Sequence, residues 1–114
     1  MASLNEDHGL GRIHINTWNL TNADGEGNSL TLPGSPDRTV QCVGPFSGAT
    51  VKLYGSNQRI PTDWAVLHDP SGADISFTAS GIVLVLENPV HVKPILTGGA
   101  GSAVSVILAS RSSV

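Results

Sequence analysis

Apolar and polar residues alternate along most of this chain in short runs, each cut by residues that favour turns. Strict alternation marks a β-strand with one covered face. Arg12-Ile13-His14-Ile15-Asn16 follows it, with the isoleucines on one side and His14 on the other. Residues 22–28 hold Asp24-Gly25 and Gly27, and glycine accepts positive φ cheaply, so this stretch reads as a loop. Leu30-Thr31-Leu32 is a brief strand stopped by Pro33-Gly34-Ser35-Pro36, and residues 39–43 form another, ended by Gly44-Pro45. Ala49-Thr50-Val51-Lys52-Leu53-Tyr54 alternates most clearly and breaks at Gly55-Ser56-Asn57.

Trp64-Ala65-Val66-Leu67 reads as a strand that opens on a core indole. It stops at Asp69-Pro70-Ser71-Gly72, a turn with proline at its second position. Ile75-Ser76-Phe77-Thr78 alternates again. Ile82-Val83-Leu84-Val85-Leu86 is apolar throughout, which predicts burial on both faces. In residues 90–96 the pair Lys93-Pro94 predicts an edge strand or a bulge, because proline donates no ladder hydrogen bond. Residues 97–101 are glycine-rich and connect to a last strand over residues 103–108.

Nothing in the chain carries apolar residues at helical spacing over three turns, and prolines interrupt the candidates. About eight short strands at near-regular intervals predict one all-β domain, an antiparallel β-sandwich or jelly roll, over residues 12–114. Residues 1–11 are polar without a period and predict an N-terminal arm that orders on contact with a partner.

Composition narrows the function classes. The chain has 114 residues, so one core can form without disulfides or metal. Its six basic residues are scattered and its net charge is -3, which argues against phosphate-backbone binding and so against nucleic acid. The single cysteine, Cys42, lies in an alternating run and reads as a small buried hydrophobe. The first residues lack the basic and apolar regions of a secretion signal, and the longest apolar run is too short to span a bilayer. The expectation is therefore a protein made and used in a cytoplasm, or released with a particle assembled there, with the Asn19-Leu20-Thr21 sequon unused and no membrane partner.

Candidate chemistry is sparse. His8, His14, His68 and His91 show none of the short spacings of a metal site, and the alternation puts His14 and His91 toward solvent or an interface. A ligand set of His68, Asp69 and Asp74 is outweighed by the turn role of Asp69. No serine stands in a nucleophile elbow, and the acids at Asp63, Asp69 and Asp74 sit in turn contexts that explain them. The reading is no enzyme, no metal and no cofactor.

Residues 48–108 resemble a group of small virion proteins encoded beside the major capsid protein in tailed bacteriophages. The resemblance rests on Gly48-Ala49-Thr50-Val51-Lys52-Leu53-Tyr54-Gly55-Ser56-Asn57 and on Trp64-Ala65-Val66-Leu67-His68-Asp69-Pro70-Ser71-Gly72. Phe77-Thr78-Ala79-Ser80-Gly81-Ile82 and Val92-Lys93-Pro94-Ile95-Leu96-Thr97-Gly98-Gly99 extend it. The chain departs from the group at Gln58-Arg59-Ile60-Pro61-Thr62, where relatives have a compact turn, and at Lys93, where they commonly have arginine.

The resemblance implies a capsid cement or decoration protein on the virion, bound to the major capsid protein and self-associated as a dimer or trimer. Partner contacts are expected from Leu4, Asn5, His8 and Leu10 of the arm, from Trp18, and from Arg59 and Ile60. Two alternatives stand beside it. One is a carbohydrate-binding or adhesin module using Trp18 or Tyr54, and the other is a tail or head–tail connector component.

Overall fold

The computed structural model describes residues 13–31 and 37–111 in full and the backbone of residues 4–10. Ten strands run in chain order: β1 (Leu4–Leu10), β2 (Ile13–Thr21), β3 (Leu30–Thr31), β4 (Asp37–Val43) and β5 (Thr50–Ser56) come first. They are followed by β6 (Ala65–Val66), β7 (Ser76–Phe77), β8 (Gly81–Leu84), β9 (His91–Thr97) and β10 (Ala103–Arg111). The described residues contain no helix, so none is long and apolar enough to cross a membrane.

Two antiparallel sheets face each other. The first has the order β1-β2-β10-β4-β8, and the second the order β3-β9-β5-β6, with β7 also pairing β5. The pairs β2–β10, β3–β9, β4–β8 and β5 with β6/β7 join strands nested symmetrically in the sequence. The chain from β2 onward is thus one long antiparallel ribbon rolled on itself, which is the jelly-roll form of the predicted sandwich.

Two separate strands around the Asp69 turn are found where expected, and one strand is added at the N-terminus. β6 and β7 lie along the same side of β5 as two pieces, separated by the turn at Asp69, whose Oδ1 accepts from Ser71 N at 2.9 Å and Ala73 N at 3.1 Å. Residues 4–10, read as part of a free arm, pair with β2 as an edge strand. An edge strand is held by backbone bonds along one side, so it needs no apolar period; that is why the pattern missed it.

The core lies between the sheets. Val40 and Cys42 of β4, Val51 and Leu53 of β5, Val92 and Leu96 of β9, and Val104, Val106 and Leu108 of β10 are all buried from it outward to the sheet planes. Burial pushes the Cys42 thiol up to about 12, so it stays protonated and packs as the small hydrophobe expected. One end of the core is polar: Asn16, Arg38 and Ser110 are buried there, and the Arg38 guanidinium donates to the Pro89 carbonyl at 3.0 Å.

The two tryptophans exchange their expected places. Trp18 is fully buried, and its Nε1–H donates to the Asn28 carbonyl at 2.8 Å. Gly27 lies against the ring so closely that a Cβ there would sit 2.4 Å from Trp18 Cδ1. Trp64 instead stands half-buried outside the second sheet, with the Lys93 ammonium 4.4 Å from its ring centre. β2 runs one residue out of phase with the expected alternation: Asn16, Trp18 and Leu20 face inward, with His14 on their side and the isoleucines opposite.

Candidate functional site

The outer face of the first sheet follows from that phase. Outward positions alternate with buried ones along β2, β10 and β4 and with partly buried ones along β8, and the pairing registers align them in rows. One row is Thr17–Ile107–Gln41–Ile82, and the next is Ile15–Ala109–Thr39–Leu84. A third is Asn19–Ser105–Val43, in which Ser105 Oγ–H donates to Asn19 Oδ1 at 2.7 Å. None of these side chains is ionisable. Along these four strands charge returns in the last row, at Arg111 and Asp37, and on β1 Asp7 stands in register with Ile15.

Among the large apolar side chains of this face, exposure is highest along β8. Ile82 is 63% exposed and Leu84 50%, and Leu86 just beyond is 54% exposed. The apolar run of residues 82–86 was expected to be buried on both faces. It is buried on one, through Val85 with Val83 packed against the core, and open on the other. Continuous apolarity in a strand at the sheet edge therefore marks a surface rather than a second core layer. Isolated exposed apolar residues are ordinary in proteins, whereas a contiguous exposed apolar patch marks a contact surface.

The outer face of the second sheet has a different character. Its rows are Lys52–Ile95, Tyr54–Lys93 and Ser56–His91, the last continuing to Thr31, whose hydroxyl lies 2.9 Å from His91 Nδ1. Lys93 Nζ also reaches Glu26 Oε2 at 3.1 Å.

Beside this second face, Trp64 walls an open groove of about 720 Å³ between the loop after β5 and the segment after β8. Its polar groups are largely spent on holding the walls. Gln58 Oε1 accepts from Asp63 N at 2.7 Å and Thr62 N at 2.8 Å, and Gln58 Nε2 donates to Asp63 Oδ2 at 3.0 Å. Asn57 Oδ1 accepts from Val90 N at 2.9 Å. Gly55 lines the floor, where a Cβ would come within 2.4 Å of Pro89.

His68 closes one end of the groove. Its Nδ1 meets Glu87 Oε2 at 2.5 Å, its backbone N–H donates to Glu87 Oε1 at 2.7 Å, and its Nε2 lies 3.4 Å from Asp74 Oδ1. The hydrogen bond to Glu87 raises the His68 pKa above its ordinary value. For Glu87, partial burial pulls upward, but the bonds from His68 outweigh it and the net shift is downward. Both ring nitrogens thus face carboxylates, and neither is placed to take a proton from a nucleophile. With the Leu86 N–H to His68 carbonyl bond of 2.9 Å, the pair clasps the end of the first sheet to the edge of the second. Among the described residues no group of three or more His, Cys, Asp or Glu side chains is arranged to hold a metal ion.

The residues expected to contact a partner are scattered over this frame. Leu4, Asn5, His8 and Leu10 lie on β1, at the edge of the first sheet opposite β8. Arg59 and Ile60 are exposed in the loop after β5, Ile60 at 79%. Trp18 is no contact residue, since the core encloses it. Sequence reading missed Ile82, Leu84, Ile107 and Val43. The signal for them was present: each is apolar at a position out of phase with the buried residues of its own strand.

No protein-family model matches the chain, and no curated protein matches it.

Proposed function

We propose that this chain is a non-enzymatic structural protein of a tailed-phage head, a cement protein that binds the outer surface of the shell and bridges major capsid subunits. The observation that carries the reading is the uncharged outer face of the β2-β10-β4-β8 strands, with Ile82, Leu84, Ile107 and Val43 on it. Such a face binds through area, because apolar surface removed from water contributes about 25 cal/mol per Å² before the costs of association. A rigid sheet presents that area with no ordering cost in the backbone. The resemblance over residues 48–108 supplies the partner, a capsid subunit at the virion surface, and the host cytoplasm is where the protein would be made.

The test is co-sedimentation of the purified protein with expanded shells of its cognate major capsid protein. Saturable binding, and raised resistance of the shells to heat, are expected. Absence of binding, with virions lacking the protein equally heat-stable, would sink the reading.

A glycan-binding role is the second reading, and it would use the Trp64 groove, since Trp18 is buried in the core. Glycan-array signals lost in Trp64→Ala would support it; silence across a broad array would remove it.

A further inference from the structure

The first sheet ends at β8, and the four strand edges of the sandwich are not equally defended. Sheet edges carry unpaired N–H and C=O groups that recruit other strands unless charge, proline, irregularity or shortness prevents it. At the opposite edge of the same sheet, β1 carries Glu6 and Asp7 in its sequence, and its register shifts between Asp7 and Leu10. The second sheet ends in the two-residue β3 on one side and in the two short pieces β6 and β7 on the other. β8 carries neither charge nor proline over Gly81-Ile82-Val83-Leu84 and pairs with β4 in unbroken register, and its outward side is taken up just beyond it, where Leu86 N–H donates to the His68 carbonyl at 2.9 Å.

The register also says which backbone groups are free. Val85 N–H donates to the Arg38 carbonyl at 3.0 Å, and hydrogen-bonded pairs alternate along an antiparallel ladder. Val83 and Gly81 therefore turn their backbone groups toward β4. Ile82 and Leu84 turn theirs away from the sheet, and these are the two residues of β8 whose apolar side chains are more than half or half exposed. A partner here needs an uncharged, extended segment with the same spacing.

We propose that this partner is a second copy of the chain, with β8 pairing antiparallel to β8 about a two-fold axis at Val83. In that register Ile82 of one copy stands opposite Leu84 of the other, and each pair exchanges both backbone hydrogen bonds. The interface is isologous, as closed dimers require. Its side-chain pairs are apolar on apolar, so no charge is desolvated and none is repelled. Because the axis is perpendicular to the sheet, the two uncharged faces join on the same side of one continuous sheet. The dimer deepens the cement reading by doubling the contact area, yet it forms from the isolated protein and is tested without shells.

Sedimentation equilibrium of the full chain reads the mass, and hydrogen exchange on the same samples reads the Ile82 and Leu84 amides. A dimer is expected, with both amides protected at least tenfold more at high than at low concentration. Leu84→Lys should shift the chain to monomer, as should Ile82→Pro, which deletes an outward N–H and leaves the bonds to β4 in place. A wild-type monomer with fast amides at every concentration overturns the proposal. So does a dimer that both variants leave intact, and so does protection that appears only when shells are added, which would assign the edge to the shell protein. The exchange measurement needs no variant, so misfolding of either substitution leaves the proposal exposed to disproof.

Discussion

The two sheets of this sandwich bury similar residues between them and present opposite surfaces to the outside. The first turns outward Ile15, Thr17, Ile107, Gln41, Ile82 and Leu84, without an ionisable group among them. The second turns outward Lys52, Lys93, Tyr54 and His91, with Glu26 and Trp64 added by its flanking loops. A jelly roll needs only its inner faces to be apolar, and the second sheet comes nearer to that minimum, with Ile95 the one large aliphatic residue in its outer rows. The first carries apolar residues that folding does not ask for.

The largest expected effect sharpens the difference between inner and outer positions. Trp18→Ala should cost about 3–5 kcal/mol, because it empties a fully buried site and strands the Asn28 carbonyl. Trp64→Ala should cost much less, since it removes a half-covered ring and a cation–π contact of about 0.5–1 kcal/mol. Chemical denaturation of the two variants decides this; equal losses would mean that the tryptophans are not divided between core and surface. Gly27→Ala comes next, at about 1–3 kcal/mol, because its Cβ would collide with the Trp18 ring. A neutral Gly27→Ala would show that the loop over Trp18 has slack.

A smaller effect concerns the clasp between the sheets. The His68 pKa is raised, so its contribution to stability is complete below the ordinary value of 6.5 and is lost as pH rises through the shifted value. The Glu87 pKa is lowered, so its contribution is present above 4.5 and is lost as pH falls through its own shifted value. The melting-temperature gap between wild type and Glu87→Gln should therefore be widest between pH 4.5 and 6.5 and narrow in alkaline solution. A gap independent of pH would mean that the charges do not matter to the clasp.

Much of the fold was legible because alternation and turn residues act locally. Residues 50–56, 75–77 and 91–97 fall where the pattern placed strands, and Asp69 makes the turn its neighbours announce. What was not legible depended on phase and on pairing. In β2, both parities carry large apolar side chains, Ile13 and Ile15 against Trp18 and Leu20, so local pattern could not say which faced the core. β1 was invisible because backbone pairing leaves no mark in side-chain periodicity. The uncharged face was hidden for a related reason: its residues come from four strands distant in sequence, and only the registers bring Thr17, Ile107, Gln41 and Ile82 into one row.

The contrast between the two outer faces is tested most directly by one added charge on each. Gln41 and Thr97 are both exposed and polar, one in the middle of the uncharged face and the other on the second sheet. Gln41→Lys and Thr97→Lys should each change stability by less than about 0.5 kcal/mol, so binding to expanded shells can be compared without a folding correction. The account predicts that Gln41→Lys weakens co-sedimentation at least tenfold while Thr97→Lys binds as the wild type does. Equal binding by the two variants, or loss confined to Thr97→Lys, would contradict it.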